Sequence, residues 1–393
     1  MDRPQTQTQT RVSILGATGS IGSSTLRVLA HNPEQFAVVS LVAQRNVERL
    51  AEIALQTRAE FVAIADERQF AALKDRLSGS SIEVGAGSEA VTEAAARQAD
   101  VVVSAITGYA GLRSTLAAAR SGANLALANK EAMVTAGSMV KAALEEGGGT
   151  LIPVDSEHAA LFQSLWGQDR EAITQLILTA SGGPFRTWTK EDIQQATPEQ
   201  ALKHPNWDMG AKVTIDSASM MNKGLELIEA QQIFDIAPDR LDVVVHPQSI
   251  VHSLVAYNDG GQLAQLGVPD MQTPISAALR WPKRTKTSVP PLDLAQYGNL
   301  TFEPPDRDRF PCLSLAEAAM RQGGAAPIAM NAANEVAVRA FLDGTCRFGG
   351  IAQIVENVLE QTRAEPPESL DEIAIIDADS RTKAHASVAK FSK

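Results

Sequence analysis

A chain of 393 residues is too long for a single apolar core and implies two or three domains. With 46 acidic against 35 basic side chains and a net charge of -11, it excludes a nucleic-acid polyanion as the main partner, so an anionic ligand needs a local basic pocket. The only two cysteines, Cys312 and Cys346, lack metal-ligand spacing, which excludes a disulfide scaffold and a structural zinc and fits a reducing, cytoplasmic setting.

Residues 1–10, MDRPQTQTQT, are polar, lack the apolar stretch of a signal peptide and read as a disordered tail. From Arg11 to about Thr150, short β-branched runs alternate with stretches of helical period. RVSIL is followed by a helix to His31, AVVSLVA by a helix near Val47 to Gln56, and FVAIA by a helix from Glu67, with IEVG and DVVVSAI beyond. That rhythm predicts a doubly wound parallel sheet, Rossmann-like, over residues 11–150. EEGGGT breaks the pattern, and IPVD after it reads as the first strand of a second, α+β unit over 151–281. This unit continues through ITQLILTA and AKVTID, and DVVVHPQSIVHSLVAY followed by GGQLAQLG reads as an antiparallel hairpin. The proline-rich residues 282–311 read as a linker, and 312–393 as a C-terminal helical domain containing LAEAAMRQ, AMNAANEVAVRAFLDG and IAQIVENVLEQ. No apolar run reaches the roughly 20 residues of a membrane-spanning helix.

ILGATGSIG places Gly16, Gly19 and Gly22 between the first strand and a helix opening near Ser20. Such a turn either serves packing alone or holds a pyrophosphate on backbone amides at the helix N-terminus, and its place on the first strand of a βαβ series favours binding. The second strand ends in Gln44, Arg45 and Asn46 with no carboxylate to repel a 2′-phosphate, which favours NADP(H) over NAD(H) and gives Arg45 a role; a solvated loop cation is the weaker alternative. Asn129, Lys130 and Glu131 end a strand and open a helix, where they either face the ligand crevice or cap the helix.

In IPVDSEH, strand geometry puts Asp155 and Glu157 on one face, with Ser156 opposite or at the turn. Hard oxygen ligands suit Mg²⁺ or Mn²⁺, and Glu226 offers a third acid on a helix after Lys223; a charged helix N-terminus accounts for the first pair equally well. His158 is read as a helix residue without a ligand role. Three segments supply donors for a phosphate: Ser181 in TASGGPF, His204 in KHPNWDMG, and Ser217, Asn222 and Lys223 in DSASMMNKG. Each alone could be an ordinary turn or surface group. Trp207 and Met209, between proline and glycine, read as an apolar lid, with partial burial in a core as the alternative.

GATGSIG, ANKE, VDSEH, SGGPFR, HPNWDMG, DSASMMNKGLE, HPQSIVHSLV and QLGVPDMQTPI, in that order from about residue 11 onward, resemble the 1-deoxy-D-xylulose 5-phosphate reductoisomerases, NADPH- and metal-dependent enzymes of the non-mevalonate isoprenoid route. The resemblance implies that Thr18, Gly19, Ser20, Ile21, Arg45, Asn46, Asn129, Glu131 and Gly210 contact NADPH. It implies Asp155, Glu157 and Glu226 as ligands of one divalent cation. Lys130, Ser156, Ser181, His204, Ser217, Asn222 and Lys223, together with Glu157 and Glu226, then contact a phosphorylated sugar. The implied reaction rearranges the carbon skeleton, by retro-aldol then aldol, to an aldehyde that NADPH reduces to 2-C-methyl-D-erythritol 4-phosphate, in a homodimer. Where such enzymes often carry glycine after the second strand, this chain has Gln44. An aspartate-semialdehyde-type dehydrogenase shares the glycine turn but needs a cysteine nucleophile, and neither cysteine has a catalytic setting. A non-catalytic NADP(H) sensor leaves the acids and phosphate donors without purpose.

Overall fold

A computed structural model describes residues 9–207, 209–363 and 365–391. Most of the expected N-terminal tail, residues 1–8, lies outside the described residues, and Thr10 already opens the first strand. Two compact units emerge, each built from three stretches: Met1–Ala132, Ser138–Ala159 and Asp270–Pro290 in the first, Met133–Gly137, Ala160–Pro269 and Pro291–Lys393 in the second.

In the first unit, strands β1 (Thr10–Leu15), β2 (Phe36–Ala43), β3 (Phe61–Ile64), β4 (Glu83–Ala86), β5 (Val101–Ser104), β6 (Asn124–Leu127) and β7 (Leu151–Pro153) form one sheet in the order β4-β3-β2-β1-β5-β6-β7. Every pairing is parallel. Central strands such as FAVVSLVA and VVVS are covered on both faces, so they read as unbroken apolar runs instead of alternating ones. The connecting helices are α1 (Ser20–His31), α2 (Val47–Thr57), α3 (Phe70–Arg76), α4 (Gly87–Ala96), α5 (Leu112–Arg120), α6 (Lys130–Gly147) and α7 (Ser156–Leu165). Strand order reverses between β1 and β5, the position at which open α/β sheets bind ligands.

The expected boundary at residue 150 is corrected. IPVD does not start a new sheet, because Leu151–Pro153 pairs with Leu125–Leu127 and completes the first one. AKVTID, read with the strands, is helical instead. The β-branched Val213, Thr214 and Ile215 are overridden by burial of Ile215 and Ala218 on one helical face and by a 2.9 Å ion pair between Lys212 and Asp216, one turn apart.

The second unit carries β8 (Ile173–Ala180), α8 (Lys190–Gln194), α9 (Pro198–Ala201), α10 (Ala211–Ala218), α11 (Met221–Phe234), β9 (Leu241–Val245), β10 (Val251–Tyr257) and β11 (Gln262–Leu266). Its sheet order is β11-β10-β8-β9. IVHSLVAY and GQLAQL form the expected antiparallel hairpin, β10 with β11, whereas DVVV is a separate strand lying parallel to β8.

The chain then returns to the first unit with α12 (Gln272–Arg280) and ends in the second with α13 (Leu294–Tyr297), α14 (Pro311–Gln322), α15 (Ala326–Leu342), α16 (Gly350–Leu359) and α17 (Leu370–Val388). The expected linker over 282–311 is therefore divided. Its first part is bound to the first unit by Asn32 Nδ2 donating to the Lys286 carbonyl at 2.9 Å and Thr285 Oγ1 to Gln35 Oε1 at 2.9 Å. Nor are 312–393 a separate domain, because Leu313, Met330 and Ile351 share one buried core with Leu178, Phe185 and Leu225. Among the described residues no helix is long and apolar enough to cross a membrane.

Candidate active site

The first unit places its candidate residues along the C-terminal edge of its sheet. Gly16 has φ +97°, and a Cβ there would lie 2.6 Å from the Ala105 carbonyl oxygen, so only glycine lets β1 turn past β5. Gly19 sits at the N-cap of α1 and brings no side chain to the first amides of the helix; Thr18, Ser20 and Ile21 complete the turn. Such a helix end attracts a phosphate. Gln44 lies outside the left-handed region, so its backbone makes no demand for glycine.

Beyond β2, Asn46 caps α2 by accepting from the Arg49 amide at 3.0 Å. Arg45 does not stand alone. Its Nε lies 3.4 Å from Oδ2 of Asp66, which also takes Arg68 Nη2 at 2.7 Å. Sequence reading found no carboxylate near the second strand, yet the end of β3 brings one there. Hydrogen bonds from Arg68, aided by the nearby Arg45 charge, hold the Asp66 carboxyl down at about 2.

Asn129 serves the cap reading: its Oδ1 accepts from the Ala132 amide at 3.1 Å, and its Nδ2 donates to the Gly108 carbonyl at 3.2 Å. Lys130 and Glu131 follow it, both buried. Lys130 Nζ reaches Asp155 Oδ2 at 2.5 Å. The expectation of Asp155 and Glu157 on one strand face is corrected: the strand stops at Pro153 and Ser156 opens α7, with the Ala159 amide donating to the Asp155 carbonyl at 2.8 Å. The Ser156 hydroxyl hydrogen-bonds Glu157. His158 is buried, with Nδ1 3.9 Å from Asp155 Oδ2.

In the second unit, β8 ends at Ala180 and delivers Ser181. Its Oγ lies 3.0 Å from His204 Nε2 and accepts from the Gly183 amide at 3.1 Å. His204 Nδ1 accepts from the backbone amides of Asn206 and Trp207 at 3.2 and 2.9 Å. An atom accepting two N–H bonds carries no proton, so the proton of the neutral ring sits on Nε2 and is donated to Ser181. Burial agrees, pushing His204 down to about 4. Ser181 Oγ thus accepts twice and keeps its own hydrogen for a further acceptor. Gly183, at φ +65°, packs on α10 so closely that a Cβ would sit 2.8 Å from the Ser217 carbonyl oxygen, which draws Ser181 and Ser217 into one neighbourhood.

A left-handed Met220 turns the chain from α10 into α11, whose first turn carries Asn222 and Lys223. Both side chains hydrogen-bond the carboxylate of Glu226, one turn further on and buried with Lys223. A buried carboxylate needs cationic or hydrogen-bonding partners, and this one has both. Trp207 is partly buried, its ring 6.4 Å from that of His252; Met209 precedes Gly210, the N-cap of α10, and Asp208 between them lies outside the described residues.

Asp66, Arg68 and Asn334 stand in none of the chain's motifs; Asn334 donates to the buried Asp216 beside Ser217 at 2.8 Å. Cys312 is buried and pushed up to about 12, and burial also raises Cys346, so neither is a thiolate nucleophile at neutral pH.

A doubly wound parallel sheet with a glycine turn at its first strand, joined in one chain to a unit that carries Ser181, His204, Asn222 and Lys223 as polar donors, defines a dinucleotide-dependent oxidoreductase. Three family models match: 1-deoxy-D-xylulose 5-phosphate reductoisomerase over residues 12–137, its C-terminal domain over 151–234, and the DXP reductoisomerase C-terminal domain over 266–383. The 1-deoxy-D-xylulose 5-phosphate reductoisomerase of Bradyrhizobium diazoefficiens is 53% identical over 379 residues, 95% of this chain and 93% of the relative. The Zymomonas mobilis enzyme solved in complex with NADPH superposes with a TM-score of 0.92 at 48% identity, covering 97% of this chain and 99% of that one. A DOX-P reductoisomerase solved with NADPH, fosmidomycin and magnesium gives 0.93 at 41% identity, over 97% and 98% of the two chains. The chain belongs to the 1-deoxy-D-xylulose 5-phosphate reductoisomerase family.

Proposed function

We propose that this chain converts 1-deoxy-D-xylulose 5-phosphate to 2-C-methyl-D-erythritol 4-phosphate with NADPH and a divalent cation, magnesium or manganese, as a cytoplasmic homodimer. The observation that carries the reading is the first half of α11, where Lys223, a cation for phosphate, and Glu226, an acid for the metal, are neighbours hydrogen-bonded to each other. One helical turn therefore addresses both the phosphate and the reacting oxygens of a small sugar.

When bound, the cation supplies positive charge at the substrate's ketone and hydroxyl oxygens, and NADPH supplies the hydride that reduces the rearranged aldehyde. Asp155, Glu157 and Glu226 are the proposed ligands, a set of hard oxygen donors suited to magnesium. Lys130 balances Asp155 and, with Ser156, contacts the sugar. Ser181, His204, Ser217, Asn222 and Lys223 hold the phosphate: the hydroxyls and the amide as neutral donors, the lysine as the charge, and His204 by orienting Ser181. Trp207 and Met209 cover the substrate and exclude water. Thr18, Gly19, Ser20 and Ile21 receive the pyrophosphate side of the cofactor, Arg45 and Asn46 its adenosine side, and Asn129, Glu131 and Gly210 the nicotinamide side.

For the dimer, the support is β11, the edge of its sheet, with Leu263 43% exposed. The activity is tested by following NADPH absorbance after adding 1-deoxy-D-xylulose 5-phosphate with and without magnesium. Oxidation that needs both is expected, and no turnover with metal present overturns the reading. Light scattering of the purified chain at twice the monomer mass is the expected result for the homodimer.

A further inference from the structure

We propose that Arg68 joins Arg45 in binding the 2′-phosphate of the dinucleotide, and that Asp66 holds the two guanidinium groups in place for it. The proposal rests on the reading of Arg45 given above and extends it to a residue on a different loop. Past the ends of β2 and β3 the two chains stay in register, the Ala65 amide donating to the Ala43 carbonyl at 2.9 Å and the Asp66 amide to the Gln44 carbonyl at 3.0 Å. Asp66 is thereby anchored beside the Gln44–Arg45 segment. Arg68 grips it with two bonds, Nε to Oδ1 at 2.8 Å and Nη2 to Oδ2 at 2.7 Å, while Arg45 approaches Oδ2 through Nε alone at 3.4 Å.

The carboxylate is consumed by this arrangement and the cations are not. Asp66 is 10% exposed, against 68% for the Arg45 side chain and 78% for Arg68. Nη1 of Arg68 and both terminal nitrogens of Arg45 are outside these contacts. The cluster carries one positive charge in excess, presented by planar forks whose geometry suits a phosphate dianion. An unpaired Asp66 would repel that dianion; two arginines on it reverse the sign. The competing reading is a local clamp, since Asp66 Oδ1 also accepts from the Arg68 amide at 3.2 Å.

The test is calorimetric binding of adenosine 2′,5′-bisphosphate and adenosine 5′-phosphate to the parent chain, Arg68→Met and Arg45→Met. Losing a charge-assisted contact from Arg68 is expected to weaken the bisphosphate about tenfold and leave the monophosphate unchanged. A bisphosphate affinity within about twofold of the parent, or an equal loss for both ligands, overturns the proposal and leaves Arg68 a turn clamp. If Arg45→Met weakens the bisphosphate selectively and Arg68→Met does not, only the role of Arg68 falls. If neither does, the reading of Arg45 falls with it.

Discussion

Nζ of Lys130, at the start of α6, lies 2.5 Å from Oδ2 of Asp155, at the junction of β7 and α7. Removing the ammonium takes one positive charge away from the Asp155 carboxylate. Lys130→Met, which keeps the apolar stem, is expected to lower kcat/KM for 1-deoxy-D-xylulose 5-phosphate on the order of 100-fold, with the KM for NADPH changed by less than about twofold. Steady-state kinetics with parental kcat/KM would take Lys130 out of the site.

Glu226→Gln preserves shape and deletes the charge that Lys223 and Asn222 grip. Turnover at saturating magnesium is expected to fall on the order of a thousandfold, with the magnesium concentration for half-maximal rate raised. The buried Lys223 would lose the Glu226 carboxylate that it hydrogen-bonds, so a stability loss of about 3 kcal/mol in urea unfolding should accompany it. A magnesium titration indistinguishable from the parent's would sink the assignment of Glu226 as a ligand.

The Nε2–H of His204 points at Ser181, and glutamine can place an amide N–H at nearly the same point. His204→Ala should raise the KM for the sugar phosphate about tenfold, and His204→Gln should recover part of that loss. Equal KM values for the two variants would show that the donor has no role.

His252 is buried and its imidazole is pushed down to about 4, first by burial and further by His246 and Lys223, against 6.5 for an open chain. Between those values the unfolded chain takes up a proton that the folded one refuses. The stability His252 contributes is complete above pH 6.5 and is lost as pH falls toward 4, by about 1 to 2 kcal/mol near pH 5. Urea unfolding across this range should show a shallower loss in His252→Gln, and identical slopes would exclude His252 as the cause.

Asn334 on α15 donates to Asp216, which is buried on α10 next to Ser217. Asn334→Ala removes one donor from a buried carboxylate and should cost about 1 to 3 kcal/mol, with the KM for substrate raised because α10 loses this contact to α15. Unchanged stability and KM would show that Asn334 does not brace α10.

Local pattern carried much of this architecture. The alternation of apolar runs and amphipathic stretches located β1 to β6, and Ser20 to His31 were read at the bounds α1 shows. What escaped was pairing between distant segments. A run as short as LIP looks the same whether it extends one sheet or starts another, and only its register with Leu125–Leu127 decides. Asp66 meets Arg45 through the β2–β3 ladder, and Asn334 meets Asp216 across 118 residues, contacts that no periodicity encodes. The candidate site residues stand in short motifs of the chain, while the proton position on His204 needed the backbone amides that point at it.

The way the chain is threaded bears on its synthesis. The first unit lacks α12 until residues 270–290 have been made, and the second lacks the core residues of α14 to α16 until nearly the whole chain has been made. At the midpoint of synthesis the first unit has all seven strands but not α12, and the second lacks much of its core, so long-range contacts complete both. A chain truncated before α14 would leave Leu178, Phe185 and Leu225 without the part of their core that Leu313, Met330 and Ile351 supply.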